Sequence, residues 1–387
     1  MRPPIPTPEM FTSRLRSPYV AARVGVWLGI AFGICFVTGL ISHYAQAVNQ
    51  PIPFPTNPAW GYRLNQGLHV ASGTAAIPLV IVKLWAVYPR LFEGFPIGQD
   101  ARKMLVAGLE RASIAVLVAA AIFELVTGLL NSTQWYPWSF SFRSTHFALA
   151  WITIGALLVH IAVKLPIIRD VLLGDIDEVE HDRPAAVEEG ALSRRGLVRT
   201  TFMAAGVAVL ATAGATVPWL RQVSVLGSRT GDGPQGIPIN KSAQAARVTD
   251  DMVGADYRLT VVAGGVEMSF SREELLGMPQ RTETLPIACV EGWSASAQWS
   301  GVRVRDLMDM VDAPSGSDVV VRSLQPSGPF RNTTLQANFA ADDRTLVALK
   351  LNGEDLNMDH GYPCRLIAPN RPGVLQTKWV GALEVQT

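Results

Sequence analysis

The sequence predicts a multidomain chain: an all-α transmembrane four-helix bundle, a fifth anchor helix, and then an α+β domain. Hydrophobic residues make up 49% of the 387 residues and charged residues only 17%, which is more apolar than an ordinary soluble protein. Five apolar runs fall within roughly the first 220 positions, at or near the length that crosses a bilayer. The rest of the chain holds short strand-like runs with few helical patterns, which predicts an α+β domain.

The five apolar runs cover residues 24–41, 68–87, 114–130, 147–168 and 202–217. Arg14, Arg16 and Arg23 precede the first run, whereas residues 44–61 and 131–142 contain neither Lys nor Arg. Because cytoplasmic loops carry the excess of Lys and Arg, this asymmetry predicts a cytoplasmic N-terminus. The predicted location is therefore the cell membrane, with several spans and an extracytoplasmic C-terminal domain.

The chain is predicted to divide into six segments. They are a cytoplasmic N-terminus at 1–20, a four-helix membrane domain at 21–170, a cytoplasmic linker at 171–196, a fifth transmembrane helix at 197–220, a linker rich in Gly, Ser and Pro at 221–236, and the exported domain at 237–387. Residues 193–200, SRRGLVRT, resemble a twin-arginine export signal placed inside the chain. The alternative is that Arg194 and Arg195 are ordinary charges flanking a span, and both interpretations predict the same topology.

The charge and the cysteines exclude two classes of protein. The formal net charge is +1 and the sequence has no basic stripe, so no nucleic-acid partner is predicted. Cys35, Cys289 and Cys364 have no paired spacing, so no disulfide framework is expected.

Short runs indicate the elements of the exported domain. Predicted strands cover residues 257–262, 285–289, 319–323, 346–351 and 364–367, and predicted helices cover 272–276 and 304–310. Asn352 and Gly353 stand between apolar segments, which predicts a hairpin turn.

Four of the six histidines, His43, His69, His146 and His160, fall in or at predicted spans. Ligating residues in spans are rare and usually functional, and facing imidazoles on bundle helices hold b-type haem. His146 and His160 lie on one helix face, about 21 Å apart along the axis. In this pattern the region is similar to the membrane cytochrome b subunits that accompany hydrogenases and formate dehydrogenases.

Depth in the membrane selects among these histidines. Counted from the middle of each run, His43, His69 and His146 lie about 12 to 16 Å toward the outside, and His160 lies about 8 Å toward the cytoplasm. A haem with two histidine ligands needs both at one depth, so two of the three outer histidines could ligate a haem b iron, and His69 with His146 is the first choice. His160 has no partner at its depth, which argues against a second haem. The alternative interpretation of His43 is a hydrogen-bonded residue at the membrane interface.

The exported domain is organised around residues 287–302, IACVEGWSASAQWSGV. Cys289 follows a predicted buried strand and precedes a Gly-Trp-Ser turn, where a scaffold presents reactive side chains. Its thiolate would be a soft metal ligand, and the alternative from spacing alone is a buried free cysteine. The segment resembles the molybdenum-ligating loop of the sulfite oxidase-like molybdopterin oxidoreductases, in which a Cys-Val-x-x-Trp-Ser run leads to Trp-x-Gly-Val.

A second stretch, residues 346–385, carries Asn-Gly, His-Gly-Tyr-Pro-x-Arg and Lys-Trp-Val elements in that family's order and spacing. The resemblance covers residues 237–387 and implies a molybdenum-molybdopterin cofactor, with Cys289 as the metal ligand and catalytic residue. It also implies further cofactor contacts, at Asn240, Ser323, His360, Arg365, Gln376, Thr377 and Lys378. Outside the motif, His360 would be an exposed turn residue, and Arg365 and Lys378 would be solvated charges.

Departures from the family bear on the substrate. Eukaryotic sulfite oxidases place an arginine five residues after the molybdenum cysteine, and here Ser294 stands in its place, which argues against an oxyanion such as sulfite. The Cys-Val-Glu-x-Trp-Ser form is closer to the bacterial periplasmic methionine sulfoxide reductase, whereas His360 is closer to the sulfite oxidase form. Four arginines are equal candidates for the substrate pocket: Arg303, Arg322, Arg331 and Arg371.

Together these features predict a membrane-anchored, molybdenum-dependent oxidoreductase of the sulfite oxidase or sulfoxide reductase type. It would transfer an oxygen atom to or from a small-molecule substrate outside the membrane, and exchange electrons with a membrane b-type haem, a quinone or a redox partner protein. One alternative is a haem-free tethered enzyme with a soluble electron partner. Another is a tethered binding or assembly module whose cofactor site is vestigial.

Overall fold

The computed structural model describes residues 6–48, 50–94, 97–98, 100–226 and 233–386. The chain divides into two compact units. The helical unit comprises Met1–Gly39, Leu68–Gly214 and Gln222–Gly227, and the sheet unit comprises Leu40–Gly67, Ala215–Arg221 and Ser228–Thr387. Residues 227–232 of the predicted linker 221–236 lie outside the described residues.

Within the described ranges, five helices are long and apolar enough to cross a membrane. They are α1 (Pro18–Ala45), α2 (Gly61–Val87), α3 (Ala101–Ser132), α4 (Phe142–Leu173) and α5 (Arg194–Thr212). The first four contain the predicted apolar runs. The fifth begins and ends earlier than predicted, and two short 3-10 turns follow it, because a proline such as Pro218 cannot continue a helix.

The twin-arginine motif lies at the start of α5, and both guanidinium groups have partners within the helical unit. Ser193 caps the helix through its hydroxyl. Arg194 is buried and forms an ion pair with Asp182. Arg195 pairs with Asp175 at 2.7 Å. The motif therefore has a structural role in this unit, and its use as an export signal stays a prediction.

The described part of the sheet unit contains ten strands and four short helices. The strands are β1 (Leu259–Ala263), β2 (Val266–Phe270), β3 (Arg281–Ala288), β4 (Ser294–Arg303), β5 (Val319–Ser323), β6 (Asn332–Leu335), β7 (Leu346–Leu351), β8 (Glu354–Asp355), β9 (Arg365–Ile367) and β10 (Val380–Val385). The helices are α6 (Ala243–Ala246), α7 (Arg272–Gly277), α8 (Val304–Asp309) and α9 (Ala337–Ala340).

These strands form two sheets. In the first, the order is β2-β1-β10-β5-β6, with β1 parallel to β10 and the other neighbours antiparallel. In the second, the order is β3-β4-β7-β8, and β9 also pairs with β7. One hydrophobic core joins side chains of both sheets, such as Val261 and Leu383 from the first and Leu349 from the second. A second core surrounds Trp299 and includes Cys289.

The sequence predicts five of the ten described strands and misses β2, β4, β6, β8 and β10. The predicted strands correspond to β1, β3, β5, β7 and β9, and the predicted helices to α7 and α8. In β2 only the last residue, Phe270, is buried, so its sequence carries little apolar signal. The predicted hairpin turn is confirmed: Asn352 and Gly353 join β7 to β8 with φ angles of 52° and 86°.

The loop between α1 and α2 packs on the sheets of its own unit. Asn370 Oδ1 accepts a hydrogen bond from the Tyr62 amide at 2.5 Å, and Asn370 Nδ2 donates to the Pro55 carbonyl at 2.7 Å. Asn338 Nδ2 donates to the Phe54 carbonyl at 2.8 Å, and the Phe54 ring packs against the larger core. A segment that the sequence assigns to the membrane domain is therefore a structural part of the sheet unit.

Candidate active site

Cys289 lies in a tight loop between β3 and β4. The loop is closed by the Cys289 amide, which donates to the Trp293 carbonyl at 2.9 Å, and Gly292 supplies the left-handed residue at φ 78°. Cys289 is 1% exposed, and its sulfur lies 3.7 Å from Oε2 of Glu291. Burial, together with the charge of Glu291, raises the pKa of the Cys289 thiol far above its ordinary value. Metal ligation requires the thiolate, so metal binding at this sulfur releases a proton.

His360 ends a 3-10 turn that is followed by Gly361. Gly361 has a φ of 108°, and a Cβ built there would lie 3.0 Å from the Lys378 Cβ and 3.1 Å from the Arg365 Cβ, so glycine lets these three segments meet. The His360 ring is buried, and its Nε2 lies 2.6 Å from the Pro234 carbonyl oxygen. Burial lowers the pKa of His360 to about 4. His360 is therefore a buried neutral imidazole rather than an exposed turn residue.

Arg365 is a buried guanidinium in β9. Its two terminal nitrogens donate to the carbonyls of His360 and Gln376, both at 3.1 Å, and it lies over the Trp299 ring at 4.9 Å. Its Nε is buried and has no hydrogen-bond partner among the described residues. Burial lowers the pKa of Arg365 to about 9. A buried cation with an unused donor favours an anionic ligand at this position.

Lys378 lies near Arg365, and its ammonium contacts two carbonyl oxygens and the Trp379 ring. Its Nζ donates to the Lys241 carbonyl at 2.9 Å and to the Asp359 carbonyl at 2.7 Å. Burial, with the charge of Arg365, lowers the pKa of Lys378 to about 7. Ser323 Oγ donates to the Lys378 carbonyl at 2.8 Å and so fixes the lysine backbone. Asn240 directly precedes Lys241, whose carbonyl accepts from Lys378. The start of the predicted domain therefore lies close to the Lys378 ammonium.

Gln376 and Thr377 hold the loop that carries Lys378. Gln376 Oε1 accepts from the Ala368 amide at 2.8 Å, and its Nε2 donates to the Ala368 carbonyl at 2.8 Å. The hydroxyls of Thr377 and Thr333 lie 2.9 Å apart. The side chain of Gln376 is thus used by the protein itself, and its contact with a cofactor is predicted through the backbone.

The cluster fits an anionic cofactor that brings its own metal ligands. Neither Arg365 nor Lys378 forms an ion pair with a carboxylate in the described part of the sheet unit. Two mostly buried cations without a counter-ion are costly unless an anion such as a phosphate joins them. No group of three or more His, Cys, Asp or Glu side chains able to hold a metal lies among the described residues. A metal bound by Cys289 would therefore take its other ligands from an organic group, as molybdenum in molybdopterin does.

The structure ranks the four candidate arginines. Arg371 is buried, donates to the Leu375 and Thr334 carbonyls, and is adjacent to Asn370. Arg303 pairs with two aspartates, Arg322 pairs with Glu384, and Arg331 is exposed. Of these four arginines, Arg371 is the one with a buried side chain. The sequence analysis did not single out Asn370. The residue type was its one sequence signal, because asparagine tolerates a left-handed φ such as the 56° found there.

The helical unit brings together two of the four membrane histidines. His69 on α2 and His146 on α4 have ring centroids 6.2 Å apart. His69 Nδ1 lies 3.0 Å from the Cys35 carbonyl oxygen, and His146 Nδ1 lies 3.0 Å from Oε2 of Glu124. Because a carbonyl oxygen only accepts, Nδ1 of His69 carries the proton and Nε2 keeps its lone pair. Nε2 of His69 is thus available as a ligand, whereas Nδ1 of His146 lies beside the Glu124 carboxylate but forms no hydrogen bond with the described residues.

The other two histidines lie apart from this pair. His43 is an exposed residue near the end of α1. His160 lies on α4 within reach of the charges of Lys83, Lys164 and Glu110, rather than beside a second imidazole in the described chain. The predicted pairing of His69 with His146 agrees with this arrangement, and haem ligation by any of the four stays a prediction.

Comparison with known proteins identifies the C-terminal part of the chain. Residues 245–387 match the family described as "Oxidoreductase molybdopterin binding domain". Mitochondrial sulfite oxidase of Mus musculus is 26% identical over 159 residues, which cover 34% of this chain and 29% of that protein. The "Putative protein-methionine-sulfoxide reductase subunit YedZ1" of Azospira oryzae is 29% identical over 133 residues, which cover 34% of this chain and 49% of that protein.

A solved structure, the sulfane dehydrogenase SoxCD from Paracoccus pantotrophus, matches 34% of this chain and 38% of its own with 25% identity and a TM-score of 0.31. The chain spans under a third of the length of the murine sulfite oxidase and about half that of the Azospira protein. The predicted resemblance to the sulfite oxidase-like family is confirmed for the C-terminal domain, and the resemblance of the helices to cytochrome b stays a prediction. Residues 245–387 therefore resemble the molybdopterin-binding oxidoreductase domains of sulfite oxidase-like proteins.

Proposed function

We propose that this protein is a membrane-anchored, molybdopterin-dependent oxidoreductase that transfers an oxygen atom to or from a small substrate outside the membrane. Its proposed electron partner is a b-type haem held by the helical unit, or a quinone. The observation that carries the proposal is the cluster of Cys289, Arg365 and Lys378, in which a buried sulfur and two cations without carboxylate partners occur in a matched molybdopterin domain.

The residues divide the work of holding the cofactor. Cys289 would provide the sulfur ligand to the metal, Arg365 and Lys378 would neutralise the phosphate, and His360 would contribute a neutral imidazole to the site. When bound, molybdopterin supplies two-electron oxygen-atom transfer. The balance for oxidation of a substrate X is X plus water giving XO, two protons and two electrons, and reduction of an oxide is the reverse. Burial of Cys289 and Arg365 keeps bulk water from this region and strengthens the electrostatic contacts.

The haem proposal rests on the geometry of His69 and His146. A metal bound at about 2 Å by one nitrogen of each of two opposed imidazoles separates the ring centroids by roughly 6 Å. The observed separation is 6.2 Å. Histidines that bind metals commonly donate their other ring N–H to a carbonyl or carboxylate; the Cys35 carbonyl takes this role for His69, and the Glu124 carboxylate lies 3.0 Å from Nδ1 of His146. Gly39 faces the His69 ring and Gly128 faces the His146 ring, so no side chain beyond hydrogen fills those positions.

Two observations weigh against the alternatives. A vestigial cofactor site has no reason to keep Arg365 and Lys378 mostly buried without a counter-ion, because such charges are lost readily when nothing binds them. A haem-free anchor has no reason to place His69 and His146 at a metal-bridging separation inside apolar helices.

The test is molybdenum analysis and difference spectroscopy on the full chain, made in a host that synthesises molybdopterin. We expect about one molybdenum per chain, and a b-type reduced-minus-oxidised spectrum in membranes that responds to sulfite or to a sulfoxide. Folded protein without molybdenum overturns the proposed enzyme. Molybdenum without a haem signal would leave the tethered, haem-free enzyme in place of the full proposal.

A further inference from the structure

Thr216 is a buried residue that lies outside the matched domain but bonds to the Cys289 loop. It is 2% exposed, and its hydroxyl donates to the carbonyl oxygen of Gly292, which lies 76 positions later in the chain. The sequence predicts Thr216 inside the fifth transmembrane helix at 197–220, whereas the structure ends α5 earlier and places Ala215–Arg221 in the sheet unit. The chain that follows α5 therefore takes part in the structure of the candidate active site.

The residues on both sides of Thr216 are packed within the sheet unit as well. Ala215 packs against the second hydrophobic core, the one that includes Cys289. Val217 lies close to Gly67, since a Cβ built on Gly67 would be 3.4 Å from the Val217 Cγ2. Because both of its neighbours are packed in this way, the Thr216 backbone has little freedom to move away from the Cys289 loop.

The carbonyl that accepts from Thr216 belongs to the turn that presents Cys289. The Gly292 amide donates to the Cys289 carbonyl at 3.2 Å, and the Cys289 amide donates to the Trp293 carbonyl at 2.9 Å. Gly292 is buried and has a left-handed φ of 78°. A buried backbone carbonyl needs a hydrogen-bond donor, because folding removes it from water. The Thr216 hydroxyl supplies that donor and so restrains the turn that carries the Cys289 sulfur.

We propose that Thr216 is a positioning residue for the Cys289 sulfur, on which it acts through the Gly292 carbonyl. The inference rests on the proposed function, because the role of Cys289 as a metal ligand belongs to that function. Groups that bond to a ligand or to its loop set the geometry of the ligand toward the metal. Without the Thr216 hydroxyl, the turn gains open conformations in which the sulfur meets solvent. The segment after α5 thus has a role in the oxidoreductase site beyond tethering.

The first test measures how often the Cys289 loop opens in the cofactor-free full chain. The readout is the rate of Cys289 alkylation by N-ethylmaleimide in detergent at a fixed pH, followed by peptide mass spectrometry. A thiol on a residue that is 1% exposed reacts only when its loop opens. Thr216→Val removes the hydroxyl at nearly constant shape, and Thr216→Ser retains it. Thr345→Val is the matched control, because Thr345 is buried in the same unit and its hydroxyl has no hydrogen-bond partner among the described residues.

Thr216→Val leaves the buried Gly292 carbonyl without its donor, so we expect Cys289 to be alkylated about 5- to 100-fold faster than in the wild type. Thr216→Ser and Thr345→Val should react at the wild-type rate. Cys364 lies in the larger core and reports opening of the whole domain, so it should remain the slower of the two thiols in every variant. Equal Cys289 rates in Thr216→Val and Thr345→Val overturn the inference. Equal rates for Cys289 and Cys364 in Thr216→Val also overturn it, because the domain would then be opening as a whole.

The second test is the electron paramagnetic resonance spectrum of the half-reduced, cofactor-loaded protein, which reports the geometry of the sulfur at the metal. We expect a shifted or heterogeneous signal in Thr216→Val and the wild-type signal in Thr216→Ser and Thr345→Val, because a loss of stability alone leaves the spectrum of the folded protein unchanged. A wild-type signal in Thr216→Val contradicts the positioning role. Wild-type protein that folds without molybdenum overturns the proposed function instead. The alkylation rates need no cofactor, so they still decide whether Thr216 restrains the Cys289 loop.

Discussion

The imidazoles of His69 on α2 and His146 on α4 have ring centroids 6.2 Å apart and ring planes at 68° to each other. The chain offers two matched controls, since His43 is exposed and His160 lies among charged side chains. We expect His69→Ala and His146→Ala each to abolish the b-type absorption of purified protein, and His43→Ala and His160→Ala to retain it. Glu124→Gln should weaken haem retention by about 10- to 100-fold, because it alters the partner of a ligating ring. A haem spectrum that survives His69→Ala but is lost in His160→Ala contradicts this assignment.

Cys289 and Cys364 are both buried, but only Cys289 lies in the loop between β3 and β4 that forms the proposed metal site. We expect Cys289→Ala to reduce bound molybdenum to background, because the fixed sulfur ligand is gone, whereas Cys364→Ala keeps the wild-type molybdenum content. Cys364→Ala should cost about 1 to 2 kcal/mol of stability as a small core truncation. Metal content is measured by mass spectrometry on folded, size-selected protein. Full molybdenum in Cys289→Ala would sink the ligand assignment.

Lys378→Met should stabilise the cofactor-free protein but weaken retention of the cofactor. Burial lowers the pKa of Lys378 to about 7 from 10.5, so between those pH values the folded cofactor-free protein holds fewer protons than the unfolded chain, and its stability rises with pH. Removing the ammonium should therefore raise the Tm of cofactor-free protein most at or below pH 7, and reduce that pH dependence. The same change should weaken cofactor retention by about tenfold or more, because a charge-assisted contact to phosphate is lost. A fall of the apo Tm at pH 6 together with unchanged cofactor retention would contradict the role given to this side chain.

The buried imidazole of His360 should make the oxidoreductase domain less stable at acidic pH. Burial lowers its pKa to about 4 from 6.5, so the folded state binds fewer protons than the unfolded chain between these values. Stability attributable to the neutral ring is present above pH 6.5 and is lost as the pH falls toward 4. We expect the Tm of His360→Asn to depend less on pH across this window than the Tm of the wild type, as measured by thermal unfolding in detergent at half-unit steps. Identical pH dependence in the two proteins is the contrary result.

Asn370 predicts how firmly the α1–α2 loop is held. Asn370→Ala removes two hydrogen bonds, to Tyr62 and Pro55. It also puts alanine at a φ of 56°, and alanine adopts this left-handed conformation less readily than asparagine does. We expect the free energy of unfolding to fall by about 2 to 4 kcal/mol, and proteolytic cleavage between residues 46 and 60 to become faster. Asn370→Asp keeps the acceptor for the Tyr62 amide and tolerates the same φ, so it should lie between the wild type and Asn370→Ala. Protease resistance equal to the wild type in Asn370→Ala would show that other contacts suffice.

The sequence determined the elements that depend on local pattern. Five apolar runs gave the long helices, since a membrane-length helix satisfies its own backbone hydrogen bonds and needs only continuous apolar residues. Five of the ten described strands were predictable, and so was the Asn352-Gly353 turn, because both rest on neighbours in the chain. The sequence missed β4 and β10 although both contain buried residues. The Cys289 loop and the His360 to Lys378 stretch pointed to the family through their residues alone, and the match to residues 245–387 confirms that domain.

Only the tertiary structure decided which distant groups meet. Nothing local to Arg63, Tyr62 or Asn370 indicates that the first turn of α2 lies against β3 and β4, because those contacts join residues more than two hundred positions apart. The burial of Arg365 without a carboxylate, and the 6.2 Å between His69 and His146, likewise depend on how elements pack. A local pattern sets the hydrogen bonds of one element, whereas burial and charge pairing are properties of all the elements that surround a side chain.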